Sequence, residues 1–355
     1  MIANIVPFMR LGFAGFVMAR EGVFGLVSLP DLPPGPRLAI RTARMLERRG
    51  IEKKDAAARL TDALNRLGPS YIKLGQFLAT RPDVVGKEAA KELSALQDNV
   101  PPFLTQYARK TVEEQLGNTV EYHFEEFGEP VAAASIAQVH PAYLRNRDGE
   151  LEKVAVKVLR PGVERGFKRD LKSFYLAARL AERFSRASRR LRPLATVETY
   201  ERAVVLEMDL RMEAAALSEM GENSKEDTDF RVPSVDWPRT SRSVLTMEWI
   251  DGVKLSNLEG IEEAGHDLPE LGNKVIQSFL RHAVRDGFFH ADMHQGNLFV
   301  EPDGTLVAVD LGITGRLACP SADFWQKSST ASSPATIAGL LRFTLKPVMC
   351  PQIRT

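Results

Sequence analysis

The chain has 355 residues, of which 44% are hydrophobic, so it is long enough for about two domains and apolar enough to bury a core. Its 47 Lys and Arg nearly balance its 46 Asp and Glu, which gives a net charge of +1. The chain therefore lacks the basic excess that is typical of nucleic-acid-binding proteins. The two cysteines, Cys319 and Cys350, lie near the end of the sequence, which excludes a disulfide framework and favours a reducing compartment.

Residues 1–36 form an apolar segment followed by a proline-rich stretch. Arg10, Arg20 and Glu21 divide the apolar segment into uncharged runs about half as long as the roughly 20 residues that a membrane-spanning helix needs. The segment predicts either an amphipathic helix on a membrane surface or a helix packed on the protein's own core. Consecutive prolines in residues 32–36 (LPPGP) predict a linker.

A helical extension is predicted for residues 37–118. Apolar residues recur there at helical spacing up to about Leu116, with interruptions at Gly68-Pro69 and at residues 81–83 and a stop at Pro101-Pro102. Residues 119–250 have a different pattern of short apolar runs and longer helical stretches. They predict three strands, at residues 120–127, 138–144 and 152–159. Two helices follow, at about 163–190 and about 197–220, and then a further strand that runs into a turn, at residues 243–252.

Residues 251–317 combine an amphipathic helix with a hairpin. The helix is predicted for residues 268–285 and stops at Gly287. The runs NLFV and TLVAVD flank a Glu-Pro-Asp-Gly turn that ends at Gly304, and this pattern predicts two antiparallel strands. Because Asn297 opens one strand and Asp310 ends the next, we expect the two side chains to lie side by side.

Residues 288–312 carry the sharpest chemical signal. His290, Asp292, Asn297 and Asp310 have the spacing of a kinase catalytic loop followed by a metal-binding aspartate. Phosphoryl transfer needs a carboxylate near the nucleophile and oxygen ligands that hold Mg²⁺ against the phosphates. These residues therefore predict an ATP-dependent enzyme with Asp292 as base or water-positioning group and Asn297 and Asp310 as metal ligands.

Lys157 lies in an otherwise apolar strand, where its charge needs an acidic group or a phosphate as partner. Asp209 and Glu213 are four residues apart and share a helical face, whereas Glu207 lies off that face and could pair with Arg211 instead. Periodicity leaves all three carboxylates open as the partner of Lys157.

An alanine-rich loop precedes the second of the three strands, where kinases carry a glycine-rich phosphate loop. Alanine resists positive φ and narrows the conformations in which backbone N–H groups can close over phosphates. We expect a stiffer loop that alters nucleotide preference or slows transfer. The candidate nucleotide-binding residues of this loop are Ala132, Ala133, Ala134 and Ser135.

Together these motifs resemble the UbiB/ADCK family of atypical, protein-kinase-like ATPases linked to ubiquinone biosynthesis. The resemblance covers about residues 37–317, and it adds a lysine motif at Lys73-Leu-Gly-Gln76 and a Glu-x-Asp motif at Glu207. Met293 and Gln295 stand where the family usually has prolines, and the family's DFG motif reads Asp-Leu-Gly here. Both departures keep the groups that are expected to touch metal and nucleotide.

The resemblance implies an α+β, protein-kinase-like two-lobe fold with a helical N-terminal extension (residues 37–118), an N-lobe (119–250) and an incomplete helical C-lobe (251–317). It also implies that Lys157 holds the α- and β-phosphates of ATP with Glu213 or Glu207 orienting it, that Glu248 contacts the nucleotide, and that Lys73 and Gln76 gate the site. No G-x-G-x-x-G loop or iron-ligand spacing supports hydroxylase chemistry.

The implied role is Mg²⁺-dependent ATP hydrolysis that supports ubiquinone synthesis, with prenylated phenol or quinone lipids and a biosynthetic protein complex as partners. The implied place is the bacterial cytoplasm, peripheral to the inner face of the cytoplasmic membrane. Residues 318–355 do not continue the family pattern. If suitable codons are chosen for this stretch and read one nucleotide earlier, they encode a sequence that resembles the family's next helices. This predicts a frameshift that removes most of the C-lobe and its membrane anchor. A small-molecule phosphotransferase of the aminoglycoside-kinase type and a catalytically silent nucleotide-binding scaffold stay open as alternatives.

Overall fold

The structure, a computed structural model, describes residues 5–26, 34–51, 54–94, 101–146, 148–184 and 189–317. The predicted frameshifted tail lies outside these ranges. The fold is α+β, as predicted, and it divides into two compact units. Unit 1 comprises Met1–Asp209 and Arg239–Thr246, and unit 2 comprises Leu210–Pro238 and Met247–Thr355.

The first departure of the helices from the prediction is at the start of α2. Helix α2 begins at Pro34, so the predicted linker at residues 32–36 was wrong from Pro34 on, because proline is well tolerated in the first helical turn. Gly68, with φ of +98°, separates α3 from α4 where the break was predicted. The helices are α1 Ile5–Arg20, α2 Pro34–Arg44, α3 Ala56–Leu67, α4 Pro69–Ala79, α5 Pro82–Val85, α6 Lys87–Ser94, α7 Thr105–Leu116, α8 Val120–His123, α9 Val163–Phe184, α10 Pro193–Glu207, α11 Leu210–Asn223, α12 Leu258–Glu263 and α13 Leu268–Arg281.

The strands form three sheets in the described part of the chain. They are β1 Glu126–Phe127, β2 Ala132–Ala133, β3 Ala137–Arg145, β4 Leu151–Leu159, β5 Phe230–Arg231, β6 Val244–Glu248, β7 Val253–Lys254, β8 Phe288–His290, β9 Leu298–Val300, β10 Leu306–Ala308 and β11 Thr314–Arg316. One sheet has the order β1-β3-β4-β6 with β2 paired to β3, a second has the order β5-β10-β9-β7, and a third pairs β8 with β11.

Two of the three strands predicted within residues 120–159 are confirmed as β3 and β4, but the first was wrong. Its first half is helix α8, and only Glu126–Phe127 pair with β3. Val120 and Phe124 are both almost fully buried, and residues four apart share a face in a helix and in a strand alike, so this pattern did not distinguish the two.

The core of unit 1 covers one face of its sheet. Val154, Val156 and Val158 alternate along β4 and pack in one cluster with Ala108 and Val112 of α7. Because successive side chains of a strand point to opposite faces, this burial places Lys157 on the other face of the sheet. The position of the lysine thus follows from the register of the valines.

Helix α1 packs on the protein's own core, which is one of the two arrangements that its sequence predicted. Ala14, Val17 and Ala19 are buried, and α1 packs against α9. Met9 and Phe13 of the same helix are 69% and 59% exposed. None of the helices in the described ranges has both the length and the apolarity needed to cross a bilayer.

Unit 2 carries the predicted hairpin. Strands β9 and β10 pair antiparallel, and Gly304 in the connecting turn has φ of +83°, the backbone conformation for which glycine is favoured. The predicted end of the helical run is also confirmed, because Gly287 adopts φ of +63° directly after the π-helical turn that follows α13.

Candidate functional site

The β9–β10 hairpin of unit 2 brings Asn297 and Asp310 together. Leu298 and Ala308 are register partners, and the Val309 N–H donates to the Asn297 carbonyl at 3.0 Å. The two polar residues therefore leave the same end of the hairpin, as the sequence predicted. The Gly312 N–H donates to Asp310 Oδ1 at 3.0 Å, which fixes the orientation of that carboxylate.

The loop from His290 to Asn297 is held by hydrogen bonds of its own. The Asp292 carbonyl accepts from the His294 N–H at 2.8 Å and from Asn297 Nδ2 at 3.3 Å. The Asp292 carboxylate is half-exposed, with its Oδ2 3.9 Å from His294 Nε2. The backbone of the loop is thus fixed while the carboxylate of Asp292 is accessible.

His290 supports this loop from the inside. It is 2% exposed, and its Nδ1 accepts from the Asp292 N–H at 3.1 Å. Burial lowers the pKa of His290, which favours the neutral ring that an accepting Nδ1 requires. His290 therefore positions the backbone at Asp292.

Asn297 and Asp310 fit a magnesium ion by the chemistry of their donors. Because Asn297 donates through Nδ2, its Oδ1 is left as a ligand beside the Asp310 carboxylate, and Mg²⁺ prefers such oxygen ligands. Within the described ranges, no three His, Cys, Asp or Glu side chains are grouped to hold a metal. Asn297 and Asp310 would supply two oxygen ligands to such an ion.

The sheet of unit 1 aligns the alanine-rich loop with Lys157. Ala132 of β2 is opposite Val139 of β3, and Val139 is opposite Lys157 of β4. Directly opposed residues of antiparallel strands share a face, so Ala132 and Lys157 lie on the same face of the sheet. Every residue of 131–137 has a negative φ, which is the restriction that alanine was expected to impose.

The three candidate carboxylates for Lys157 do not share one helix. Helix α10 ends at Glu207 and α11 begins at Leu210, so the single helix predicted over residues 197–220 was wrong and Asp209 lies in the break. Aspartate is favoured at such positions because it competes for backbone N–H groups at helix starts. Glu213 is buried within α11, and its pairing with Lys157 stays a prediction.

Glu207 instead forms an ion pair with Lys73 at 2.5 Å, which corrects its expected pairing with Lys157 or Arg211. The two side chains are 23% and 16% exposed. No local sequence signal could have found this contact, because the partners are 134 positions apart. It links the lysine motif on α4 to the Glu-x-Asp motif at the end of α10.

Helix α4 presents Lys73 and Gln76 three residues apart on one face, as predicted. The helix is anchored by two contacts: the Tyr71 ring meets Phe174 edge-on at 4.9 Å, and the Tyr200 hydroxyl donates to the Ser70 carbonyl at 2.7 Å. Burial and the nearby Asp170 carboxylate raise the pKa of Tyr71 to about 12.

The Glu248 side chain has partners within unit 2. Its carboxylate pairs with Arg231 at 2.9 Å and accepts from the Ser234 N–H at 3.1 Å. Arg231 also pairs with Glu301, and the hydrogen bonds that it donates to Glu301 and then to Glu248 raise the pKa of the guanidinium. The Glu248 carboxylate is thus engaged in a network within unit 2, and its contact with the nucleotide stays a prediction.

Comparison with known proteins gives a consistent match. Residues 95–326 match the model of the ABC1 atypical kinase-like domain. The chain is 42% identical over 265 residues to the probable protein kinase UbiB of Marinobacter nauticus (73% of this chain, 48% of the relative). It is 41% identical over 336 residues to that of Pseudomonas paraeruginosa (92% and 62%), and 42% identical over 293 residues to that of Azotobacter vinelandii (81% and 54%).

The chain thus spans about half to three-fifths of the length of these curated relatives. Among solved structures, the complex of Rv3197 with erythromycin from Mycobacterium tuberculosis aligns with a TM-score of 0.49 and 25% identity, over 88% of this chain and 82% of that one.

Proposed function

Because this chain belongs to the ABC1 atypical kinase-like family, we propose that it binds Mg²⁺-ATP and hydrolyses it in support of ubiquinone biosynthesis. The hairpin of unit 2 carries the proposal, since it places an amide oxygen and a carboxylate at one end of two paired strands. A nucleotide phosphate with its metal needs this kind of oxygen pair.

Each functional group takes one role in the proposal. Mg²⁺ bound at Asn297 and Asp310 would neutralise charge on the transferring phosphoryl group. Asp292, with its accessible carboxylate, orients the attacking water and takes up its proton. Lys157 binds the α- and β-phosphates, and the alanine-rich loop shapes the space that the nucleotide enters.

Phosphate release from Mg²⁺-ATP tests the proposal. We expect Asp292→Asn to lower the rate at least tenfold while ATP affinity changes little, because the carboxylate acts on water rather than on the ground-state nucleotide. Asp303→Asn is a matched control, because Asp303 lies in the exposed hairpin turn. Binding of ATP with no phosphate release in the unmodified protein would favour the silent scaffold, and release stimulated by a soluble alcohol would favour the small-molecule phosphotransferase.

We further propose that unit 1 carries the membrane-facing surface of the protein. Support comes from the exposed apolar side chains Met9 and Phe13 on α1. It also comes from a cavity of about 360 Å³, in which Val6 and Pro7 meet a cationic face of α9. Exposed apolar side chains beside cations match the boundary between acyl chains and anionic headgroups. The cations of this face are Arg165, Lys168, Arg169 and Lys172.

Vesicle co-sedimentation tests this surface. We expect binding to vesicles that contain phosphatidylglycerol and weaker binding to phosphatidylcholine alone. Phe13→Ser should reduce binding, whereas Tyr122→Ser, which changes an exposed aromatic residue on α8, should leave it unchanged. Equal binding of both variants would contradict the proposed surface. From the family resemblance, we further propose prenylated phenol intermediates and a biosynthetic protein complex as partners at this membrane.

A further inference from the structure

Arg160 directly follows strand β4, and its side chain reaches back to the alanine-rich loop. Its N–H donates to the Ile136 carbonyl at 2.8 Å, which fixes the start of β3 to the end of β4. Its side chain donates from both Nε and Nη2 to the Ala134 carbonyl, at 3.1 and 3.0 Å. The planar guanidinium thus holds one loop carbonyl through two N–H groups, a geometry that a lysine does not reproduce.

The same guanidinium binds the segment that precedes α7. Nη2 also donates to the Pro101 carbonyl at 2.8 Å, and the Phe103 ring lies 5.5 Å from the guanidinium carbon. A cation over an aromatic face adds attraction, more so where water is partly excluded. Arg160 therefore joins two separate backbone segments, residue 134 of the loop and residues 101–103.

Gln138 fastens the second of these segments to the sheet. This side chain is 1% exposed, accepts from the Phe103 N–H at 2.9 Å and donates to the Phe103 carbonyl at 3.2 Å. A buried amide that uses both its acceptor and its donor on one residue fixes that residue in place. Residues 101–103 are thus a rigid support on which Arg160 can hold the loop.

Ala134 has both of its backbone groups engaged. Its N–H donates to the Ala137 carbonyl at 2.8 Å, and its carbonyl accepts from Arg160. The peptide unit is planar, so fixing the carbonyl also fixes the plane that continues into Ser135. Since alanine disfavours the alternative positive-φ conformers, the loop is confined to the orientation that Arg160 selects.

We propose that Arg160 is a positioning residue for the nucleotide: it latches the alanine-rich loop to residues 101–103 and thereby sets the shape of the loop that the nucleotide meets. The inference rests on the proposed function in one respect, namely that nucleotide binds at this loop. The latch itself is independent of any ligand. Loss of the latch should loosen residues 131–137 and weaken ATP binding.

Amide hydrogen exchange without nucleotide tests the latch alone. We expect Arg160→Gln to raise exchange in residues 131–137 about tenfold, because the Ala134 and Val131 N–H groups open more often. Arg160→Lys should restore part of the protection through its single charge. Arg145→Gln is the matched control, since Arg145 lies exposed at the far end of β3. Exchange within α10, which lies in the same unit as Arg160, reports whether a variant is folded.

Titration with Mg²⁺-ATP then tests whether loss of the latch weakens ATP binding. We expect Arg160→Gln to raise the Kd about fivefold or more, Arg160→Lys to lie between it and the unmodified protein, and Arg145→Gln to have no effect. Unchanged exchange in residues 131–137 of a folded Arg160→Gln protein would overturn the latch, whatever the nucleotide data show. Faster exchange with an unchanged Kd would overturn the positioning role. If the unmodified protein binds no ATP, the proposed function fails while the exchange data still decide the latch.

Discussion

The ion pair between Lys73 and Glu207 predicts a measurable energetic coupling across unit 1. At 2.5 Å and an effective dielectric constant of about 20, the Coulomb attraction is about 7 kcal/mol. Desolvation offsets most of it, at several kcal/mol for each buried ion. Both side chains are mostly buried, so we expect a net coupling of about 1–2 kcal/mol, above the 0.2–1 kcal/mol of exposed pairs.

A double-mutant cycle measures this coupling. Lys73→Met and Glu207→Gln each remove one charge, and urea unfolding of both single variants and the double variant gives the interaction energy. Each single variant should be destabilised by about 2–3 kcal/mol, and the double variant by less than the sum of the two. A cycle on the exposed pair Lys168 and Glu164 is the control, with an expected coupling below about 0.5 kcal/mol. Additive effects at Lys73 and Glu207 would refute the reasoning.

Three further changes test the fold. Glu21 is fully buried between two arginines, so Glu21→Gln should cost about 2–4 kcal/mol in urea unfolding; a cost below about 0.5 kcal/mol would contradict this burial. Burial raises the pKa of Asp227, but hydrogen bonds, that of Arg285 first, lower it further, to about 2. The ionised carboxylate therefore stabilises the fold above about pH 4. The difference in Tm between the unmodified protein and Asp227→Asn should shrink as the pH falls towards 2. A difference that is constant with pH would exclude this titration. Gly304→Ala should cost about 1–2 kcal/mol because of its φ of +83°, whereas Gly304→Asn should cost less; equal costs would exclude the backbone explanation.

Local sequence patterns were sufficient to predict an element where one physical cause determines its structure. The hairpin followed from its turn residues and alternating strands, and Gly304 took the positive φ that the turn requires. The strand of Lys157 followed from its alternating valines. The first strand was wrong because periodicity over so short a run does not distinguish Val120 and Phe124 on a helical turn from the same residues on a strand.

Long-range contacts could not be read from the sequence. The pairing of Lys73 with Glu207 joins positions far apart in the chain, and helical spacing only measures neighbours on one helix. The break between Glu207 and Leu210 also removed the continuous face on which the Lys157 argument depended. Arg160 was missed for the same reason, because its partners at Ala134 and Pro101 lie on other segments.

The central claim is that Asn297 and Asp310 hold the metal of a bound nucleotide, and ATP titration with and without Mg²⁺ tests it most directly. The unmodified protein should bind ATP at least tenfold more tightly with Mg²⁺ than in EDTA, and Asp310→Asn should abolish that difference while the turn variant Asp303→Asn retains it. Metal-independent ATP affinity in the unmodified protein, or a full magnesium effect in Asp310→Asn, would contradict the assignment.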